Sequence, residues 1–168
     1  MAKKVFLEVH SEAAYFTLIG ISCHLREYRL THLLNKKQEF AFAREQDLSI
    51  SYPGKNEPGT FSFFFWKDED HLNSYSLIAN RSEEHVLVPE IKQLDFIMVI
   101  EGEFSKTRKD SLIKSICSIP NVLTAYEIKL PTVRNFGNLL SDIEIHLMNI
   151  VKGSKPKFER NLKKERSI

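Results

Sequence analysis

The stretch VPEIKQLDFIMVIEG, residues 88–102, decides how this chain folds. Pro89 suits the first position of a helical turn, where its missing N–H has no partner to lose, and the anionic Glu90 beside it meets the positive end of the backbone dipole. Asp95 follows about one turn later and is succeeded at once by FIMVI, a run with no polar side. Alternation of polar and apolar residues marks a strand with one wet face; its absence marks a strand covered on both. The stretch therefore predicts a tight PEIKQ turn that delivers the chain into a central strand.

Working outward, SKTRKDSLIKSICSIP (105–120) places Leu112, Ile113, Ile116 and Cys117 on one helical face and stops before Pro120. VLTAYEIKL (122–130) then puts Val122, Thr124, Tyr126, Ile128 and Leu130 on one side of a strand. Two strands enclosing a helix through short linkers predict a right-handed βαβ crossover with the strands parallel. Upstream, YFTLIGIS (15–22) reads as a buried strand, with Ser22 placed to cap the helix HLREYRLTHLLNKKQ (24–38). FAFAREQDLSISY (40–52), the turn-rich PGKNEPG (53–59), TFSFFFWK (60–67) and SYSLIANR (74–81) predict an antiparallel meander. NLLSDIEIHLMNIV (138–151) carries Leu139, Leu140, Ile143, Leu147 and Ile150 on one stripe, a third helix expected to dock on the sheet or on a second subunit. The order predicts an α+β fold: a ferredoxin-like split βαβ sandwich with a mostly antiparallel sheet, one right-handed βαβ crossover and an added C-terminal helix.

Composition sets the class. A chain of 168 residues, 42% hydrophobic and 27% charged, is long enough to bury a core without metal or disulfide staples. FIMVI is too short to cross a bilayer, and Glu8 and His10 interrupt any leader-like run in MAKKVFLEVH, so a cytoplasmic protein without membrane partners is expected. Cys23 and Cys117 form no CxxC pattern and are both expected to be buried thiols. The net charge of +2 hides an asymmetry, because residues 152–168 carry +5 and leave the remainder at −3. The expected organisation is a single α+β domain over residues 1–151 and a basic, disordered tail over 152–168, since that tail has too little apolar area to offset its ordering entropy.

The quoted motif also resembles a known one. Val88-Pro89-Glu90, three free positions, then Leu94-Asp95-Phe96 is similar to the signature of the IPExxxVDY family, small bacterial proteins named for this motif. FTLIGISCHLREYRLTHLLNK is similar to that family's first strand and helix, notably Tyr28-Arg29-Leu30 and Asn35, so the resemblance spans residues 15–130. It departs at Val88, Leu94 and Phe96, the last of which lacks the tyrosine hydroxyl and so any chemistry that hydroxyl would perform. The resemblance implies no function, because none is assigned to the family. SIPNVLTAYEI further resembles the second half of ACT-type regulatory modules, although their Asp-x-Pro-Gly ligand turn has no counterpart after the first strand.

Arg29, Pro89, Glu90, Asp95 and Phe96 are the candidate binding or structural motif. Glu90 and Asp95 admit two readings: an acid/base pair across a cleft, or two carboxylates that hold the corner, paired with Arg29 within about 4 Å. The second is preferred, because buried carboxylates are usually paired and hydrogen-bonded. The six histidines show no HExxH and no convergent spacing, so no metal is expected, and neither a nucleophile elbow nor a phosphate loop supports catalysis or a cofactor. Phe61, Phe63 and Trp66 lie near the stacking positions of an RNA-recognition strand, but Gly59 and Thr60 replace the basic residue and glycine that precede it, so core packing is expected. Lys155, Lys157, Arg160, Lys163, Lys164 and Arg166 are the candidate nucleic-acid contacts. The function expected is that of a small cytoplasmic, non-catalytic binding or regulatory module, homo-oligomeric, acting through a protein partner or small ligand. The alternatives are an RNA- or ribosome-associated factor using the basic tail, and an enzyme centred on Glu90 and Asp95.

Overall fold

The computed structural model describes residues 15–153, and the expected tail therefore lies, from residue 154 onward, outside the described residues. The chain divides after Arg134 into two units. In the first, β1 (Phe16–Cys23), α1 (Glu27–Gln38), β2 (Ala43–Arg44), β3 (Leu48–Ile50), β4 (Gly59–Phe61), β5 (Phe63–Asp68) and β6 (Asn73–Ala79) precede a 3₁₀ turn at Pro89–Ile91. β7 (Phe96–Glu101), α2 (Lys106–Cys117) and β8 (Val122–Ile128) complete it. The fold is α+β, and its six-stranded sheet runs in the order β2-β5-β6-β7-β1-β8 with antiparallel neighbours throughout. β3 and β4 form a separate antiparallel pair, Leu48 opposite Phe61.

β7 takes the interior position its composition demands. Phe96, Ile97, Met98, Val99 and Ile100 are all buried, between β6 on one side and β1 on the other. Phe96, Met98 and Ile100 join the core beneath α1 and α2 with Ile19, Ile21, Leu30, Leu34, Leu112 and Ile116. Ile97 and Val99 point to the opposite face and are buried there. β7 and β8 are each antiparallel to β1, which separates them, so they are parallel to each other without being paired.

The helices bury the faces their patterns predict, but α1 begins at Glu27 rather than residue 24, and Ser22, expected to cap it, lies in β1 and donates to Asp95 while Arg26 stands at the N-cap. α1 buries Leu30, Thr31 and Leu34, and Thr31 satisfies its hydroxyl on Glu27 O at 2.7 Å. From the last turn of α1, the Asn35 amide both donates to Phe42 O at 3.0 Å and accepts from Phe42 N at 2.9 Å, fixing the return of the chain to the sheet. Ser105 caps α2 by accepting from Arg108 N at 3.2 Å.

Further expectations change. Cys23 is buried but Cys117 is exposed, because α2 ends at Cys117 and Ile119 takes the buried place beyond it. On β8 the buried residues are Ala125 and Ile128, not an alternating set: three positions apart, they fall on opposite faces, Ala125 in the core beneath the helices and Ile128 beside Gly20 and Leu94. In the second unit, α3 (Phe136–Gly153) outruns the predicted 138–151 at both ends, so Lys152 belongs to its last turn. No helix among the described residues is long and apolar enough to cross a membrane.

Candidate functional site

The Pro-Glu corner is held by groups the motif does not contain. Pro89 stands at the start of its 3₁₀ turn and Ile91 is buried, as the motif predicts. Leu94, fully buried, lies over Gly20 of β1: a Cβ at residue 20 would collide with Leu94 Cδ1 and come within 2.9 Å of Ile128 Cδ1. Gly20 is therefore the gap that lets the corner close against the sheet. Asn80, just past β6 and fully buried, supplies the clamp. Its amide N–H groups donate to Ile91 O and Leu94 O, both at 3.0 Å, and its carbonyl accepts from Val88 N at 2.9 Å. The Asn80 backbone adds bonds to Asp95 O and Leu87 N, each 2.8 Å. Arg81 donates to Lys92 O. A buried turn cannot leave its carbonyls unpaired, and the Asn-Arg step pairs them.

The two acids do separate jobs. Asp95 accepts from Cys23 N at 2.9 Å and Ser22 Oγ at 3.3 Å, stitching the start of β7 to the end of β1. Its charge, together with burial as the larger cause, pushes the Cys23 thiol above its ordinary pKa. Glu90 is exposed and, among the described residues, accepts from Arg134 N alone, at 3.3 Å. Arg29 is exposed on α1 and forms no ion pair with either acid. The expected guanidinium–carboxylate contact is thus replaced by hydrogen bonds, because α1 turns Leu30, not Arg29, toward the sheet. Neither Glu90 nor Asp95 lines either of the two recesses described next.

The first recess is a broad polar depression of about 960 Å³ bordered by Arg44, Asp47, Lys55 and His85. Some of its charges have partners, since Arg44 pairs with Asp47 at 2.6 Å and with Glu27 at 3.8 Å and Lys55 Nζ lies 3.5 Å from His85 Nδ1, while Glu57, Glu83 and Glu84 also line it and belong to none of the ion pairs among the described residues. The His85 ring stacks on Tyr52 at 4.7 Å. Exposed pairs of this kind contribute little individually.

The second recess has a different character. It measures about 310 Å³, between the end of α1, β6 and the first turns of α2, with Phe40, Tyr75, Phe104 and Leu112 as apolar walls and Arg108 as its one charged residue. Phe40, Tyr75 and Trp66 form a close aromatic stack, with Phe40–Tyr75 at 5.0 Å and Trp66–Tyr75 at 4.9 Å, and Phe104 meets Tyr75 edge-on at 6.2 Å. Burial pushes the Tyr75 hydroxyl above its ordinary pKa, so it is neutral.

Arg108 is positioned by a chain of neutral groups. Fully buried Asn73 donates to Glu101 O at 3.2 Å and Glu103 O at 3.0 Å, which turns its carbonyl oxygen to accept from Arg108 Nη1 at 3.0 Å. Arg108 Nη2 donates to Tyr75 Oη at 3.4 Å, and the guanidinium lies 4.6 Å from the centre of the Phe104 ring. None of the ion pairs among the described residues includes Arg108. Sequence reading missed Asn73, Tyr75, Phe104 and Arg108, since nothing in TRKD distinguishes Arg108 from the other basic residues of an exposed helix start.

The remaining expectations fall as follows. Phe61 and Phe63 are fully buried, and Trp66 packs in the aromatic stack, as core packing requires. Among the described residues no group of three or more His, Cys, Asp or Glu side chains could hold a metal ion. The candidate nucleic-acid residues Lys155, Lys157, Arg160, Lys163, Lys164 and Arg166 lie outside the described residues. In comparisons with protein-family models, curated proteins and solved structures, none gives a significant match to the chain.

Proposed function

We propose that this chain is a small, cytoplasmic, non-catalytic binding module whose ligand site is the recess between α1, β6 and α2. The observation that carries this reading is the composition of that recess: aromatic and aliphatic walls formed by Phe40, Tyr75, Phe104 and Leu112, with Gln38, Thr107, Arg108 and Ser111 as its polar groups. A mostly apolar hollow with a few converging polar groups is the usual form of a small-molecule site, and about 310 Å³ is at the small end of that range. The pre-formed aromatic stack supports binding with little rearrangement.

The proposal extends to architecture and assembly. Taking β1, β6, β7 and β8 with α1 and α2, the order β8-β1-β7-β6 supports a ferredoxin-like split βαβ core, widened on one side by β5 and β2. A right-handed β7-α2-β8 crossover belongs to that reading. Homodimerisation through the sheet is supported by β8, an edge strand with Leu123 and Tyr126 exposed. Membership of the IPExxxVDY family is supported by the motif at residues 88–96.

Thermal-shift screening of a metabolite set against the wild type and Ser111→Phe, a substitution that fills the recess, tests the site. A ligand at one hundred times its Kd stabilises by about 2.7 kcal/mol and should raise Tm by several degrees in the wild type only. Hits that shift both proteins equally, or the absence of hits, would count against the recess.

A further inference from the structure

We infer that the ligand of this recess is a small organic acid, a carboxylate carried on a flat apolar body. The inference rests on the recess being a ligand site and adds the class of ligand. Arg108 is its basis. A guanidinium offers five N–H donors, and two of them are spent on neutral acceptors, Asn73 Oδ1 and Tyr75 Oη. A half-buried cation normally recovers its lost hydration from a carboxylate, yet Arg108 belongs to none of the ion pairs among the described residues. No acidic side chain lines the recess. The buried Asn73 amide, itself fixed by two backbone carbonyls, holds Arg108 in position, so its remaining donors are oriented before any ligand arrives.

Two further features select the same chemistry. The recess lies beside the N-terminal turn of α2, whose backbone dipole adds positive potential where Thr107 and Arg108 sit. Phe40 and Phe104 supply aromatic walls for a flat body, while Gln38, whose amide donates to Ser115 Oγ, and Ser111 lie at the polar rim. The volume holds about ten water-sized groups at roughly 30 Å³ each, which suits a single-ring acid and excludes a nucleotide.

Trp66 is the one tryptophan of the chain and stacks on Tyr75 at 4.9 Å, so its fluorescence reports on occupancy directly. Three probes separate the contributions: benzoate, its neutral isostere benzamide, and acetate, which keeps the charge and loses the ring. Saturable benzoate binding, at least tenfold weaker for benzamide and for acetate and tenfold weaker in Arg108→Gln, is the expected result. The wild-type comparison of benzoate with benzamide decides the matter even if Arg108→Gln folds poorly. Equal binding of benzoate and benzamide overturns the acid while sparing the recess as a ligand site. Failure of every probe to bind saturably, with ligand-observed NMR agreeing, overturns both. Benzoate binding that survives Ser111→Phe unchanged places the ligand elsewhere and also overturns the inference.

Discussion

Replacing Asn80 by alanine should unfold the Pro-Glu corner more effectively than any change within the motif itself. The substitution strands three buried backbone groups, Val88 N, Ile91 O and Leu94 O, whose bonds to the amide measure 2.9, 3.0 and 3.0 Å. Each buried group left without a partner costs about 1–3 kcal/mol, and the low end applies where the vacated space can admit a water, so the loss is about 3 kcal/mol. Against a total stability of about 5–15 kcal/mol this is a large fraction, and it corresponds to a fall in Tm of roughly 6–12 °C. Glu90→Ala is the matched control: its carboxylate accepts a single bond at 3.3 Å from an exposed residue, and the change should stay within about 0.5 kcal/mol. Urea unfolding followed by Trp66 fluorescence measures both. If Asn80→Ala and Glu90→Ala were equally mild at an unchanged m-value, the assignment of Asn80 as the clamp would be wrong, and the corner would have to be held by Pro89 and Leu94 packing alone.

Gly20→Ala drives a Cβ into Leu94 and Ile128, and overpacking of this kind should lower stability by about 1–3 kcal/mol, read as a fall in Tm; a neutral result would show that Leu94 can move aside. Asp68 tests the acid limb. Burial alone would raise its carboxyl pKa, but the His71 ring at 2.8 Å, the His71 N–H, the ring's charge and the Asp70 N–H together outweigh that and hold it below the ordinary 3.8. A folded pKa below the unfolded one stabilises above the unfolded value, and the contribution is lost as pH falls through the folded value. The stability advantage of wild type over Asp68→Asn should therefore be full near neutrality and shrink on acidification below 3.8; an advantage that stays constant into that range would contradict the pairing. Native protein should consume one equivalent of a thiol reagent, at exposed Cys117, and a second only on unfolding, since Cys23 is buried with its pKa raised; rapid uptake of both would contradict that placement.

Much of the fold is written in local pattern. FIMVI has no polar side, and β7 is accordingly interior; Leu30 and Leu34 repeat at helical spacing, and α1 buries them. Pro89 at the head of a short turn follows from the geometry of one residue. Where structure and local pattern part, the deciding contact is distant in sequence. Charge alone pairs Arg29 with the acids, whereas Asp95 is satisfied by Ser22 and Cys23, more than seventy residues away. The β8 pattern of two failed because Ala125 and Ile128 are buried on opposite faces of an edge strand, by contacts that no local period encodes.

The sequence by itself determined the class of fold, the position of the interior strand and the existence of the corner, because burial and backbone geometry act on neighbouring residues and leave a period in the chain. Only the tertiary structure decided which groups close that corner and where a ligand could sit. Asn73, Asn80 and Arg108 are ordinary polar residues in sequence; what sets them apart is partners 11 to 35 residues distant, for the two fully buried amides must be paired where water is excluded, and Asn73 holds Arg108 in place.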